Sequence, residues 1–126
     1  MKRILFAFFL FTTAATLTTT QHATAQTVTQ ASFTVKVDQM DTYIGAGNIA
    51  TAKTTFDEIH QMMLNVLGVT KASIHSAATA ADKTTYENIL RNQIAIYRQI
   101  WTLKTDLAAN RAAIRTKLQE FDLTIY

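Results

Sequence analysis

Asp57, His60, Met63 and His75 are the residues whose types and spacing come nearest to metal chemistry. On a helix, Asp57 and His60 (i, i+3) share one side, the carboxylate–His unit from which helical bundles build dinuclear carboxylate centres. Such centres take two of these units and two further carboxylates, and here the second unit is missing. His60 and Met63 would offer copper an imidazole and a soft thioether, yet Met63 falls on an apolar stripe described below. A single His–carboxylate pair does not complete a coordination sphere, so neither a metal nor a cofactor is expected. A metal or small-molecule carrier stands as an alternative reading of this set. Ser73, His75 and Ser76 lie close together, but neither a G-x-S-x-G elbow nor an acidic orienting residue accompanies them. The remaining carboxylates are scattered, whereas general acid–base catalysis needs paired groups in a pocket. The sequence reads as non-enzymatic.

Gly45-Ala46-Gly47-Asn48-Ile49-Ala50 spells G-x-G-x-x-A, in which glycines let a backbone approach a pyrophosphate at a helix N-terminus. That chemistry needs a strand before it, a parallel strand after it and an acidic residue about 20 positions on. Residues 35–42 have helical period instead, and Asn65 to Thr70 contains no carboxylate. The glycines mark a turn between two helices.

The elements follow from apolar spacing. Phe33, Val37, Met40 and Ile44 step by 4, 3 and 4, one stripe of a helix over about residues 28–45. Asn48 is placed to cap the next helix, where Ile49, Ala52, Phe56, Ile59, Met63 and Val66 keep the period unbroken. Gly68 could end it as a left-handed residue, or the weaker continuation through Thr70, Ser73 and Ala77 carries it to about residue 80. Ala80 to Lys83 reads as the next turn, followed by a capping box at Thr84-Thr85-Tyr86-Glu87. Tyr86, Ile89, Ile96, Ile100, Leu103 and Leu107 then form one face, widened by Leu90, Ile94, Tyr97 and Trp101, and Ile114, Leu118 and Phe121 carry the period on. A break near Ala108-Ala109-Asn110 would divide an otherwise overlong helix. Short turns make neighbouring helices antiparallel. The expected fold is all-α, an antiparallel three-helix or four-helix bundle after a cleaved signal peptide.

That signal is read from residues 1–25. Met1-Lys2-Arg3 is basic, Ile4 to Phe11 is densely apolar, and Ala23-Thr24-Ala25 places small residues before a cleavage site, the three parts of a secretory signal. The apolar run yields to Thr12-Thr13 after eight residues, well short of the roughly 20 a spanning helix takes. Cleavage after Ala25 leaves 126 − 25 = 101 residues for the bundle domain (26–126), with 10 basic against 9 acidic residues. The chain has no Cys, so it exports without disulfides, which suits a bacterial envelope better than a small stapled secreted domain.

Tyr43, Gly47, Ala52 and Phe56 resemble the large/small spacing of one tetratricopeptide hairpin, but Ala77, Ala81, Tyr86 and Leu90, one repeat of about 34 residues on, do not continue it. The resemblance implies one tight helical hairpin and no peptide-binding residues. Leu17-Thr18-Thr19-Thr20-Gln21 fits the L-T-x-x-Q motif of the small periplasmic stress chaperones. It lies inside the signal, so the exported chain is similar to that family in size and architecture alone.

Residues 26–82 carry 3 basic and 5 acidic residues and residues 83–126 carry 7 and 4, so the two halves can complement each other. Arg91 and Arg98 are seven apart, as are Lys104 and Arg111, a loose basic stripe suited to an anionic membrane surface; a nucleic-acid partner is not expected at this charge. Tyr97 and Trp101, four apart, are the aromatic anchor candidates. The expected function is a protein-interaction module of the cell envelope, binding a protein partner or itself through Tyr97, Trp101, Arg91 and Arg98. A stress-chaperone-like or membrane-surface binder is the alternative.

Overall fold

The structure is a computed structural model that describes residues 28–123. The expected signal peptide and its cleavage after Ala25 lie outside the described residues.

Four α-helices follow one another: α1 Gln30–Gly45, α2 Ile49–Ser76, α3 Ala80–Leu103 and α4 Arg111–Glu120, with a 3-10 turn at Lys104–Asp106 between the last two. Among the described residues there is no strand. The start of α1 is fixed by reciprocal bonds between Thr29 and Ser32, and Asn48 accepts the Thr51 N–H to start α2. Gly47, at φ +75°, makes the intervening turn. Gly68 lies inside α2 with no capping role.

The third helix begins earlier than its sequence suggests. Thr79 caps it, accepting the Asp82 N–H at 3.0 Å and donating its hydroxyl to Asp82 Oδ2 at 2.7 Å. Thr84 and Thr85 are interior residues whose hydroxyls bond back to the Ala80 and Ala81 carbonyls. An acidic residue three positions after a threonine occurs at both places, and Ala80-Ala81, strong helix formers, belong to the helix rather than the turn.

The helices close a ring in which α1 packs on α2, α2 on α3, α3 on α4 and α4 back on α1. Phe33, Val37, Met40 and Ile44 of α1 meet Phe56, Ile59, Met63 and Val66 of α2, Ile96 and Ile100 of α3, and Ile114 and Leu118 of α4 in one core. Full burial of each of these side chains is worth about 1.5–3 kcal/mol, which offsets the poor helix propensity of the many threonines. Past the end of α4 the chain turns back over the core, and Phe121 stacks on Phe33 with ring centroids 6.0 Å apart.

α2 and α3 are the long members, 28 and 24 residues against 16 for α1 and 10 for α4. No residue from 71 to 92 is buried, so this hairpin projects past the four-helix body. A polar contact marks the boundary. Buried Thr70 and Gln93 meet at 2.7 Å, hydroxyl to Oε1, and Gln93 Nε2 donates to the Asp122 carbonyl at 2.7 Å.

Candidate docking face on the second and third helices

The residues with metal-like spacing are drawn apart by packing. Asp57 receives the Lys104 ammonium at 2.9 Å, and His60 Nε2 shares a hydrogen bond with the Tyr97 hydroxyl. Met63 is in the core and His75 is exposed in the last turn of α2. The Ser73 and Ser76 hydroxyls bond to the Val69 and Ala72 carbonyls one turn back. Among the described residues no three His, Asp or Glu side chains come together.

What the fold does assemble is an aromatic and cationic surface where α2 and α3 lie side by side. Trp101 is 45% exposed. Its ring lies 4.6 Å from that of His60 and 6.5 Å from that of Tyr97, nearly parallel to the latter. Lys104 Nζ sits 4.6 Å from the Trp101 ring centre, a cation–π distance, while it also holds Asp57. Burial pushes the His60 imidazole below its ordinary pKa, and Lys104 lowers it further against the opposing pull of Asp57. His60 is accordingly a neutral ring wedged between two aromatics at neutral pH.

Tyr97 and Trp101 thus sit together, as their spacing implies, on the outer side of α3. At ~3.6 residues per turn, Arg91 and Arg98 fall on that same outer side, both exposed. Arg111 leaves the stripe that Lys104 would share with it, because α4 turns it onto Asp41 of α1.

The cations sort by face. Lys36 pairs with Glu58, Arg111 with Asp41, Arg115 with Asp38 and Asp41, and Lys117 with Glu120. All of these lie away from the outer side of α2 and α3. Lys53, Lys71, Lys83, Arg91 and Arg98 form no ion pair among the described residues, and helical projection puts all five on that outer side. With Lys104 the face holds six cations against two carboxylates, Asp57 and Glu87. Leu64, 39% exposed, lies between the cations one turn from His60.

Arg91, Arg98, Tyr97 and Trp101 of this candidate face are legible in the sequence; Lys53, Lys71, Lys83 and the double role of Lys104 are not. One signal was present: Lys53 and Lys71 are 71 − 53 = 18 residues apart, about five whole turns, and therefore in line on α2.

A shallow depression on α1, lined by Val35, Asp38, Gln39, Thr42 and Tyr43, belongs to a single helix and brings no convergent polar groups. Among the described residues no helix is long and apolar enough to cross a membrane. No family model matches the chain, and neither a curated protein nor a solved structure matches it.

Proposed function

We propose that this is an exported, non-enzymatic interaction module of the cell envelope that docks through the outer side of α2 and α3. The carrying observation is the segregation of charge: among the described residues the cations elsewhere are paired within the molecule, and the unpaired ones line the face that bears the exposed Trp101. Aromatic residues amid Arg and Lys are typical docking anchors. The basic start, apolar run and Ala-x-Ala exit of residues 1–25 support export.

A photoreactive benzoylphenylalanine at Leu64, compared with one at exposed Ala112 on α4, tests the reading in cells that make the full chain. The expected result is an envelope-fraction adduct, lipid or protein, from position 64 and none from position 112, with the processed protein starting at Gln26. Equal labelling from both positions, or none from either, overturns it.

A further inference from the structure

We infer that the occupant of this face is an anionic lipid bilayer, with Trp101 seated at the level of the headgroups. The inference rests on the docking reading above and names its partner.

Two antiparallel helices lying side by side present a broad, nearly flat surface. Lys53 and Lys71 span about 27 Å of α2 at 1.5 Å per residue, and Lys83, Arg91, Arg98 and Lys104 run along α3 in the opposite direction. The positive charge is therefore spread over the face rather than gathered into a pocket, so it matches a lawn of phosphates better than a single one. Each cation near an anionic leaflet strengthens binding about fivefold, and long side chains can reach the headgroups while their stems cover apolar surface.

The apolar residues distinguish a bilayer from other polyanions. Leu64 and Trp101 stand exposed between the cations, where a nucleic-acid backbone or a soluble acidic protein surface would give them little. A tryptophan has an apolar body and a polar N–H, which favours the membrane–water boundary. Trp101 is also held in place: His60 lies against its ring and Lys104 over it. With two apolar side chains to bury, binding is peripheral, reversible and weakened by salt.

The chain holds one tryptophan, so its fluorescence reports this face alone. The test uses the chain from Gln26 to Tyr126, which contains every helix and core contact described, after circular dichroism has shown it helical. It is titrated with vesicles of equal parts phosphatidylglycerol and phosphatidylcholine, and with vesicles of phosphatidylcholine only. Sedimentation with the anionic vesicles and a blue shift of Trp101 emission are expected at low salt, with at least tenfold weaker binding to the neutral ones. Arg91→Ala/Arg98→Ala should weaken binding more than about tenfold. Lys36→Ala/Lys117→Ala, which removes the same net charge from elsewhere, should not.

Absence of binding to the anionic vesicles overturns the inference, as does an equal effect of the two double variants. Binding with an unshifted Trp101 emission, matched by equal affinity for heparin, means a plain polyanion surface and also overturns it. If vesicles fail while the position-64 probe crosslinks a protein in cells, the lipid inference falls and the docking face stands. If neither binds, both fall.

Discussion

Arg111 grips Asp41 through both carboxylate oxygens, Nε to Oδ1 at 2.8 Å and Nη2 to Oδ2 at 2.9 Å, and it does so across the bare backbone of Gly45. A Cβ at residue 45 would stand 2.8 Å from Nη1 of that guanidinium. This fork ties α4 to α1 and closes the helical ring; bidentate geometry makes it the most specific of the ion pairs. Alanine normally stabilises a helical glycine position by about 0.5–1 kcal/mol. Here Gly45→Ala is expected to lower Tm, because Arg111 must swing off Asp41. In an Arg111→Ala background the same substitution should be neutral or stabilising, which a thermal-melt double-mutant cycle reads directly. An equal effect in both backgrounds refutes the coupling.

Asp41 and His60 give stability a defined dependence on pH. The Arg111 bond holds the Asp41 carboxyl below its ordinary 3.8, so as pH falls the unfolded chain takes up that proton first. The contribution is whole above 3.8 and is lost as pH falls through the lowered folded-state value. His60, lowered from 6.5 chiefly by burial, follows the same sign at a higher pH. Its neutral form is what the fold accommodates, so stability is whole above 6.5 and declines toward the depressed value. Urea midpoints measured against pH should show two acid-side losses. His60→Gln should remove the upper one and Asp41→Asn the lower one.

Gln93 is fully buried and spends both ends of its amide, accepting from Thr70 and donating to the Asp122 carbonyl. Gln93→Leu is expected to cost about 1–3 kcal/mol, the usual penalty for removing one partner of a buried polar contact. Adding Thr70→Val should recover little of that loss, since the Thr70 hydroxyl can still donate to the Val66 carbonyl once Gln93 is gone, and the partner that Gln93 leaves behind is the Asp122 carbonyl. Urea unfolding of the single and double variants measures both. A double variant worse than the sum of its parts would mean that the site is held by packing rather than by hydrogen bonds.

Much of the fold was written in local pattern. The turn from α1 to α2 needed only Gly47 and Asn48. The break before α4 was legible near Ala108-Ala109-Asn110, but α3 already ends at Leu103, earlier than the Leu107 its apolar face reaches, with the Leu103 carbonyl accepting from the Asn110 side chain. Tyr97 and Trp101 were legible because four residues make one turn. Their partners were not, because His60 and Lys104 reach Trp101 only once α2 and α3 lie in register. Gln93 was hidden for a related reason: a glutamine between apolar neighbours reads as solvated until Thr70 and the chain beyond α4 are brought onto it. The charge difference between the halves did resolve into contacts, with Asp38, Asp41 and Asp57 of the first half bound by Arg115, Arg111 and Lys104 of the second.

The start of α3 can be decided by two substitutions of opposite sign. Thr79 satisfies the Asp82 N–H as the cap, so Thr79→Ala should destabilise the protein by about 1 kcal/mol. Thr84 is exposed and inside the helix, with its hydroxyl turned back to the Ala80 carbonyl. Thr84→Ala should therefore be neutral or stabilising by a few tenths of a kcal/mol, alanine being the better helix former. If the capping box instead began at Thr84, the two effects would exchange. Paired urea titrations at neutral pH give the order, and hydrogen exchange at the Asp82 and Glu87 amides locates it. Slow exchange at Asp82 that is lost in Thr79→Ala places the cap where the structure has it, which makes the exposed hairpin tip one turn longer on its α3 side and brings Lys83 into the docking face.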